Sequence, residues 1–350
     1  MLREKGEITA LDLEEFDIGE PSWGEVIAES LIGSMEGNFI HAMEKKPENI
    51  FEARNEDAIV LGNAGVVRVI STGSGVPDLR EGDLCILFGN ARPDGYGYPV
   101  KVSGYDCPGS IGLFAKKIRI KSFELIKLPK NTKLNLEKWA MFSLKFVTAW
   151  SNWQSAFGAC RLQIEDAQYE DLSVWGWGGG VSYAELRLAK LLGCSCGMIL
   201  SKEKMEDLCR ENGIETVSRK ASNAEIVKEV MGRTGGKGVS IFIDNIGAPT
   251  YNLTTRMTAR EGVITTCGWK AGGMYPVVRP YECIMRHTHI FTHYASRRQA
   301  LEAMKFAENN NWVPGYGGEI CAYENIPDLA KIIREGKADS YFSLYGISED

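Results

Sequence analysis

The sequence predicts an α/β protein that combines a β-rich domain with a doubly wound parallel-sheet domain. The chain has 350 residues, of which 44% are hydrophobic and 25% are charged, and this is enough for two separate cores. Short strands broken by glycine and proline fill much of the first part, and strands alternate with amphipathic helices after it. The first pattern is typical of a barrel or sandwich, and the second is typical of βαβ units.

The β-rich region covers residues 57–128. It reads DAIVLGNAGVVRVI, LCILFG and SIGLFAKKIRI, with Gly- and Pro-containing turns between these runs. Strands that are this short and this closely spaced favour a barrel over a parallel sheet. We therefore expect a small β-barrel domain here.

The parallel-sheet region begins after a stretch of helical apolar spacing at residues 135–157. From Leu172 the chain alternates between LSVWG, YAELRLAKLLG, CSCGMIL, KEKMEDLCRENG, VSIFIDNIG and GVITTCGW, which predicts a sheet covered on both faces. The last segment, ADSYFSLYGI, is expected to return to the first domain as a strand. The predicted domains are 1–147 with 288–350, and 148–287.

Charge and cysteine content restrict the partners and the location. The formal net charge is only -6 and both signs are interspersed, so neither nucleic acid nor a membrane is expected as a partner. The acidic first residues do not resemble a signal peptide, and no run of about 20 apolar residues is present, so we predict a cytoplasmic protein. The nine cysteines are scattered, and their odd number favours reduced thiols.

A glycine-rich turn joins a hydrophobic strand to an amphipathic helix in LSVWGWGGGVSYAELRLAK. Gly176, Gly179, Gly180 and Val181 are the candidate cofactor-binding residues of this turn. Glycine lets backbone N–H groups approach a pyrophosphate at the positive end of the following helix. This predicts a Rossmann dinucleotide-binding domain, although similar turns also occur in parallel sheets that bind nothing.

The end of the next strand predicts which dinucleotide binds. An NAD site places an Asp or Glu at this strand end, but here GMIL is followed by Ser201, Lys202 and Lys204. A hydroxyl and two ammonium groups suit a 2′-phosphate, so NADPH is the predicted cofactor. Arg219 is expected to lie over the adenine or to reach the phosphate. The alternative is that both lysines are simply solvated residues at the start of a helix.

Several of these motifs carry a family likeness. GVVRVISTGSGVPDLREGD, VWGWGGGV and IDNIGAPTYN resemble the medium-chain dehydrogenase/reductase superfamily. GYDCPGSIGLFAK and RHTHIFTHYASRRQALEAMKFAENN resemble its crotonyl-CoA carboxylase/reductase branch of NADPH-dependent enoyl-thioester reductases. The resemblance implies a GroES-like β-barrel catalytic domain, a homodimer, a role in secondary metabolism, and an acyl thioester substrate on coenzyme A or on an acyl carrier protein.

The chain departs from the zinc-dependent members of this superfamily. Those members bind catalytic zinc with an early Cys, a His in a Gly-His-Glu segment, and a third Cys or Asp. Here the early segment LIGSMEGNFIHA has no Cys, and Gly62, Asn63 and Ala64 occupy the Gly-His-Glu position. Because a catalytic zinc needs three protein ligands, we predict that the protein holds no metal.

Hydride addition to a C=C bond conjugated with a carbonyl is the chemistry that remains. Ligands of parallel sheets bind outside the carboxyl ends of the strands. The nicotinamide is therefore expected along Asn245 at one strand end and along Cys267, Gly268 and Trp269 at the next.

The candidate catalytic residues follow from the carboxylating branch, which holds carbon dioxide with an Asn, a Phe, a Glu and a His. Asp106 replaces the Glu, Tyr105 replaces the Phe, and His293 stands at the position of the His, whereas GSMEGN offers no clear Asn. Because the set that holds carbon dioxide is incomplete, simple reduction is favoured over reductive carboxylation. Asp106 and His293 are expected to hold a water or proton donor beside the enolate carbon.

Three other interpretations stay open at this point. His293 is structural if local backbone groups satisfy it. A quinone or enone reductase shares the fold and the preference for NADPH. A dinucleotide-binding protein without turnover is a further alternative, suggested by the bulky Trp177 in the phosphate turn and by the altered early segment.

Overall fold

The computed structural model describes residues 1–5, 8–164, 166, 168–268, 285, 287–291, 295–315 and 318–346. The chain divides into two compact units: a first unit of Met1–Leu144 with Ser296–Asp350, and a second unit of Lys145–Ala295. The sequence places the second boundary earlier, at 287/288. The two positions differ because residues 288–291 form a strand that pairs with residues 263–266 of the second unit.

The strands of the described residues are numbered in chain order. In the first unit they are β1 Leu2–Lys5, β2 Ile8–Leu11, β3 Glu25–Ser34, β4 Ala58–Ile59, β5 Gly65–Thr72, β6 Leu84–Leu87, β7 Asn90–Pro93, β8 Pro99–Val102, β9 Lys117–Lys121 and β10 Leu125–Lys127. In the second unit they are β11 Ser173–Trp177, β12 Ser195–Leu200, β13 Glu215–Ser218, β14 Val239–Ile243, β15 Thr258–Thr266 and β16 Thr288–Phe291. The chain then returns to the first unit with β17 Cys321–Ala322 and β18 Leu344–Gly346.

The α-helices are numbered in the same way. They are α1 Asn38–Glu44, α2 Ile50–Arg54, α3 Leu136–Phe142, α4 Lys145–Gln163, α5 Gly180–Leu192, α6 Glu203–Glu211, α7 Asn223–Arg233, α8 Ala248–Met257, α9 Arg297–Asn310 and α10 Ile326–Arg334. The helical spacing at residues 135–157 corresponds to two helices, α3 and α4. The chain leaves α3 at Ser143, whose hydroxyl oxygen accepts a hydrogen bond of 2.8 Å from the backbone N–H of Gly65. Among the described residues, no helix is both long and apolar enough to cross a membrane.

The second unit is built on a parallel sheet. Its described strands follow the order β13-β12-β11-β14-β15-β16, and each neighbouring pair is parallel. The strands β11, β12 and β14 are short apolar runs, as expected where a sheet is buried on both faces. Trp175, Ile199, Phe242 and Ile264 are buried in the core of this unit. The α/β class with a doubly wound parallel sheet is therefore confirmed.

The helices of the second unit begin at positions that the sequence specifies. The N-terminus of α7 is a capping box, in which Ser222 and Glu225 each accept a backbone N–H of the other. The N-terminus of α5 is different, because this helix follows directly on the glycine turn with Gly179 as its N-cap. The turn leaves the start of α5 at the carboxyl end of the central strand β11.

The first unit is built on a mixed sheet. Its described strands follow the order β10-β6-β5-β3-β18-β17, and β9 also pairs with β3. β18 runs antiparallel to β3, with Leu344 opposite Ser34, so the C-terminal segment returns to this unit as expected. Phe39, Phe51 and Phe114 pack in the core of this unit. Met35 after β3 and Val60 and Leu61 after β4 are buried in the same core.

Candidate functional site

The glycine turn of the second unit is closely packed on several sides. A Cβ atom on Gly176 would lie 3.1 Å from Cβ of Ile243, and a Cβ on Gly180 would lie 2.7 Å from Cδ of Lys145. Side chains at these two positions would therefore displace their neighbours. Gly179 has more room, since its nearest contact is 3.9 Å away. The turn fits the close backbone approach that a pyrophosphate requires.

Gly178 in this turn and Lys145 beside it are two further residues that the sequence pattern did not indicate. A Cβ on Gly178 would lie 3.2 Å from Cβ of Leu200, so Gly178 is as constrained as Gly176. Lys145, the first residue of α4, is only 8% exposed, and its alkyl chain lies against Gly180 at the start of α5. Val181 follows in the first turn of α5, which contains no acidic residue. A positive helix end with no acidic residue in its first turn favours an anion at this place.

Trp177 packs in the core of the second unit. Its ring is 1% exposed, and its Nε1 donates a hydrogen bond of 2.8 Å to Oγ1 of Thr254. The Thr254 hydroxyl in turn donates to Oδ2 of the buried Asp244 at 2.6 Å. The size of Trp177 is therefore accommodated by the core, which removes one argument for a dinucleotide-binding protein without turnover.

The predicted phosphate-binding residues lie at the carboxyl end of β12. Ser201, Lys202 and Lys204 are exposed, and Lys202 is the N-cap of α6. The backbone N–H of Arg219 donates to the carbonyl oxygen of Leu200 at 2.8 Å, so the structure brings Arg219 to the same strand end. Its guanidinium carbon lies 5.4 Å from the centroid of the Trp177 ring. Four polar side chains of the prediction thus share one edge of the sheet.

The predicted nicotinamide-side residues also lie together. The backbone N–H of Cys267 donates to Oδ1 of Asn245 at 2.9 Å, and Nδ2 of Asn245 donates to Oγ of Ser182 at 3.2 Å. Asn245 therefore joins the ends of β14 and β15 to α5. Gly268 follows at the same edge, and its carbonyl oxygen accepts from Oγ1 of Thr266 at 2.9 Å. Burial raises the pKa of the Cys267 thiol, which keeps it neutral.

A buried carboxyl group supports this strand edge from inside the second unit. Glu185 of α5 is 0% exposed, and its Oε2 accepts a hydrogen bond of 2.7 Å from Nδ2 of Asn152. Oδ1 of Asn152 accepts from the Thr265 hydroxyl at 2.7 Å. Burial raises the pKa of Glu185 to about 8, so the carboxyl group is mostly protonated at neutral pH.

The first unit contains a small polar pocket of about 210 Å³, a volume that includes its opening to solvent. Its polar wall comes from three separate segments and consists of Ser34, Glu36, Asn38, Asn63 and Tyr105. Its apolar wall is formed by Phe39, Leu61 and Phe114. The early segment GSMEGN thus contributes three side chains to this pocket, which the sequence alone did not indicate.

The polar groups of the pocket are largely buried. The Ser34 hydroxyl donates a hydrogen bond of 3.0 Å to Oε1 of Glu36, and both side chains are buried. Asn63 is 4% exposed, and its Nδ2 has no hydrogen-bond partner in the part of the chain that the structure describes. Burial raises the pKa of Tyr105 to about 12, so its hydroxyl stays neutral and can donate.

Asp106 has local contacts in the turn after β8. Its Oδ1 accepts a hydrogen bond of 2.7 Å from the backbone N–H of Val102, and its Oδ2 lies 3.4 Å from Nζ of Lys101. Among the described residues that line the pocket, Tyr105 is present and Asp106 is not. The catalytic role of Asp106 stays a prediction. His293 and Trp269 lie outside the described residues.

The donor set of the pocket does not fit a catalytic zinc. Zinc is bound by Cys, His, Asp or Glu, and Glu36 is the single side chain of these types in the wall described above. Within the described ranges, no group of three such side chains is placed to hold a metal ion. Asn63, at the Gly-His-Glu position, offers an amide in place of an imidazole.

Comparisons with known proteins show what this chain is similar to. Residues 180–309 match the family model described as zinc-binding dehydrogenase. Two solved structures share the fold. The first is an NAD-dependent alcohol dehydrogenase, with a TM-score of 0.79 at 20% identity over 99% of this chain and 100% of that one. The second is the 2-octenoyl-CoA carboxylase reductase CinF in complex with NADP and 2-octenoyl-CoA. The latter has a TM-score of 0.80 at 18% identity over 96% of this chain and 82% of that one.

Two proteins of Streptomyces are similar to this chain in sequence. Crotonyl-CoA reductase of Streptomyces avermitilis is 26% identical over 69% of this chain, and that of Streptomyces collinus is 24% identical over 86% of this chain and 74% of its own length. The match spans 57% of the length of the S. avermitilis relative. The resemblance to the medium-chain dehydrogenase/reductase superfamily, with its GroES-like and Rossmann domains, is confirmed.

Proposed function

We propose that this protein is an NADPH-dependent reductase of α,β-unsaturated acyl thioesters that works without a metal ion. The observation that carries the proposal is the close-packed glycine turn before α5, with Ser201, Lys202 and Lys204 at the end of the neighbouring strand β12. The turn suits the pyrophosphate that all dinucleotides share. The hydroxyl and ammonium groups suit the 2′-phosphate that distinguishes NADPH from NADH.

The substrate class is supported by the relatives. Both Streptomyces proteins are crotonyl-CoA reductases, and the CinF structure holds NADP together with 2-octenoyl-CoA. An alkene conjugated with a thioester carbonyl is electron-poor at its β-carbon, and bound NADPH would supply the hydride that this carbon accepts. The acyl group is expected on coenzyme A or on an acyl carrier protein.

The residues of this chain bind and orient the reactants. Asn245 fixes the ends of β14 and β15, at the edge where the predicted nicotinamide would lie. The neutral hydroxyl of Tyr105 is a hydrogen-bond donor in the polar pocket of the first unit. Asp106 and His293 remain the predicted proton-delivering pair. The wall of the pocket contains one side chain of the types that bind zinc, Glu36, and this supports hydride transfer without a Lewis acid.

The protein is further proposed to act as a homodimer in the cytoplasm. Both features follow from the sequence and its family resemblance. Light scattering of the purified protein would give the mass of one chain instead of two if the dimer is wrong.

Substrate-dependent oxidation of NADPH tests the proposed function. We expect oxidation with crotonyl-CoA, saturated butyryl-CoA as the product, and little reaction with small quinones. A parallel assay with bicarbonate, analysed by mass spectrometry, measures carboxylation, for which we expect a minor product at most. Faster turnover of quinones than of crotonyl-CoA would establish the quinone reductase alternative. Binding of NADPH without oxidation across a range of enoyl thioesters would establish a protein without turnover.

A further inference from the structure

A buried hydrogen-bond network in the second unit connects the glycine turn to the end of β14. We propose that Asp244, at the centre of this network, is a positioning residue for the cofactor. It fixes Asn245 relative to the turn and thereby holds the nicotinamide half of NADPH in one orientation. The inference rests on the proposed function only through its cofactor, NADPH. It assigns a role to a residue for which the sequence suggested none.

Both carboxyl oxygens of Asp244 accept hydrogen bonds. The side chain is 0% exposed, and its Oδ1 accepts bonds of 3.1 Å from the backbone N–H groups of Ile246 and Gly247. Its Oδ2 accepts from the Thr254 hydroxyl at 2.6 Å, and the Thr250 hydroxyl lies 3.0 Å from Oδ1. Thr250 and Thr254 are four residues apart and therefore share one face of α8. The carboxyl group is thus held by the loop after β14 and by α8.

Two routes lead from the glycine turn to this loop. The first runs through the Trp177 ring, whose Nε1 donates to Thr254 at 2.8 Å, and then from the Thr254 hydroxyl to Asp244. The second runs from Ser182, in the first turn of α5, to Nδ2 of Asn245 at 3.2 Å. Trp177 precedes the last glycines of the turn, and Ser182 follows them. The turn is therefore joined on both sides to two residues that are neighbours in the chain.

The backbone around Asn245 is fixed on each side of that residue. The Asp244 N–H donates to the carbonyl oxygen of Thr265 at 2.9 Å, which extends the pairing of β14 with β15. Two residues after Asn245, Gly247 has a φ of 98°, a conformation that favours glycine, and it is the N-cap of α8. The backbone N–H groups that donate to Asp244 close this loop. The direction of the Asn245 side chain, and with it the bond from the Cys267 N–H, therefore depends on Asp244.

Apolar packing does not account for a buried carboxyl group at this place. Burying such a group costs free energy that its donors offset, and well-packed apolar residues often give equal or greater stability. Hydrogen bonds add direction, because each of them fixes a donor relative to an acceptor. Through Thr254 and the loop after β14, the network reaches the two places where the pyrophosphate and the nicotinamide are proposed to lie. It therefore suits the alignment of one half of the dinucleotide with the other.

A comparison of NADPH with adenosine 2′,5′-bisphosphate, which lacks the nicotinamide half, tests the proposal. Asp244→Asn replaces one acceptor oxygen by a donor, so the network cannot keep all of its bonds. In calorimetric titrations this variant should bind NADPH about tenfold more weakly, the usual effect of one lost hydrogen bond, and should bind the bisphosphate as the wild type does. Asp78→Asn, the same change at an exposed position of the first unit, is the control and should bind both ligands normally.

Time-resolved fluorescence anisotropy of bound NADPH reports directly on the nicotinamide ring. In the wild type the ring should rotate only with the whole protein, whereas Asp244→Asn should add a fast local motion. Thr254→Val removes the hydroxyl that joins Trp177 to Asp244 and should have the same effects on affinity and on ring motion. Thr254→Ser, which keeps the hydroxyl, should match the wild type. The two Thr254 variants decide the question if Asp244→Asn does not fold.

The outcomes separate this inference from the proposed function. If the wild type binds NADPH and both Asp244→Asn and Thr254→Val keep its affinity and a rigid ring, the positioning role is wrong and the proposed function stands. The positioning role is also wrong if these variants lose affinity for NADPH and for the bisphosphate equally. If the expected binding differences appear but the wild type reduces no enoyl thioester, the proposed substrate fails and the positioning role is retained. If the wild type does not bind NADPH, both fail.

Discussion

Replacing Glu185 by Gln should change how the stability of the protein depends on pH. Glu185 is fully buried in α5 and accepts one hydrogen bond from Asn152, while its Oε1 has no partner among the described residues. Burial raises the pKa of this carboxyl group from 4.5 to about 8. Gln keeps an oxygen that can accept the bond from Asn152 and carries no titrating proton.

The magnitude follows from the linkage between protonation and folding. Between pH 5 and pH 8 the unfolded chain has an ionised Glu185, whereas the folded chain keeps the proton, so folding takes up close to one proton. The free energy of unfolding of the wild type then falls by about 1.4 kcal/mol per pH unit from this group, or up to about 4 kcal/mol over the range. The contribution is present below the unfolded pKa and is lost as the pH rises through the folded pKa. In Glu185→Gln, the free energy of unfolding does not fall with pH through this group.

Urea unfolding of both proteins at pH 5 and at pH 8 measures the effect. The free energy of unfolding of Glu185→Gln relative to the wild type should rise with pH, and the contributions of all other groups cancel in this difference. Glu211→Gln, at the exposed end of α6, is the matched control and should show no such trend. A difference between Glu185→Gln and the wild type that is the same at both pH values would refute a buried, protonated Glu185.

Three further predictions concern the cofactor and the metal. Lys202→Ala and Lys204→Ala should weaken NADPH binding by about ten- to a hundredfold and spare NADH, because one charge-assisted bond to the 2′-phosphate is lost; an unchanged affinity ratio would disprove the assignment. Gly180→Ala places a Cβ 2.7 Å from Cδ of Lys145, so both dinucleotides should lose affinity equally in calorimetric titrations, and a loss confined to NADPH would contradict a shared pyrophosphate site. Metal analysis of the purified protein should find no stoichiometric zinc, and one zinc per chain would overturn the metal-free proposal.

The fold was predictable where apolar periodicity is strong. The alternation from Leu172 onwards predicts the parallel sheet, because the strands β11, β12 and β14 are short buried apolar runs separated by helices. The boundary near residue 288 was less predictable, since strand pairing with β15 places Thr288–Phe291 in the second unit and periodicity carries no information about pairing partners.

The glycine turn was more predictable than the polar pocket. Gly176, Gly179 and Gly180 belong to one local motif, which runs from β11 to the first residue of α5 as expected. The pocket gathers Glu36, Asn63 and other side chains from distant segments, and no local pattern relates such segments.

Two buried polar residues have signals in the sequence itself. Asn63 stands at the Gly-His-Glu position, where its amide replaces an imidazole and offers a hydrogen-bond donor. Glu185 lies four residues before the buried Ala189 on one face of α5, so helical periodicity alone marks it as a charged residue on a buried face.

The transfer of deuterium from labelled NADPH tests the central claim most directly. The purified protein, treated with a chelator and confirmed to contain no zinc, is given crotonyl-CoA and NADPH that carries deuterium at the transferable position of its nicotinamide. The account predicts butyryl-CoA with one deuterium at the β-carbon, identified by mass spectrometry and NMR. Product without deuterium at the β-carbon, or turnover that appears only when zinc is restored, would contradict metal-free hydride transfer to an enoyl thioester.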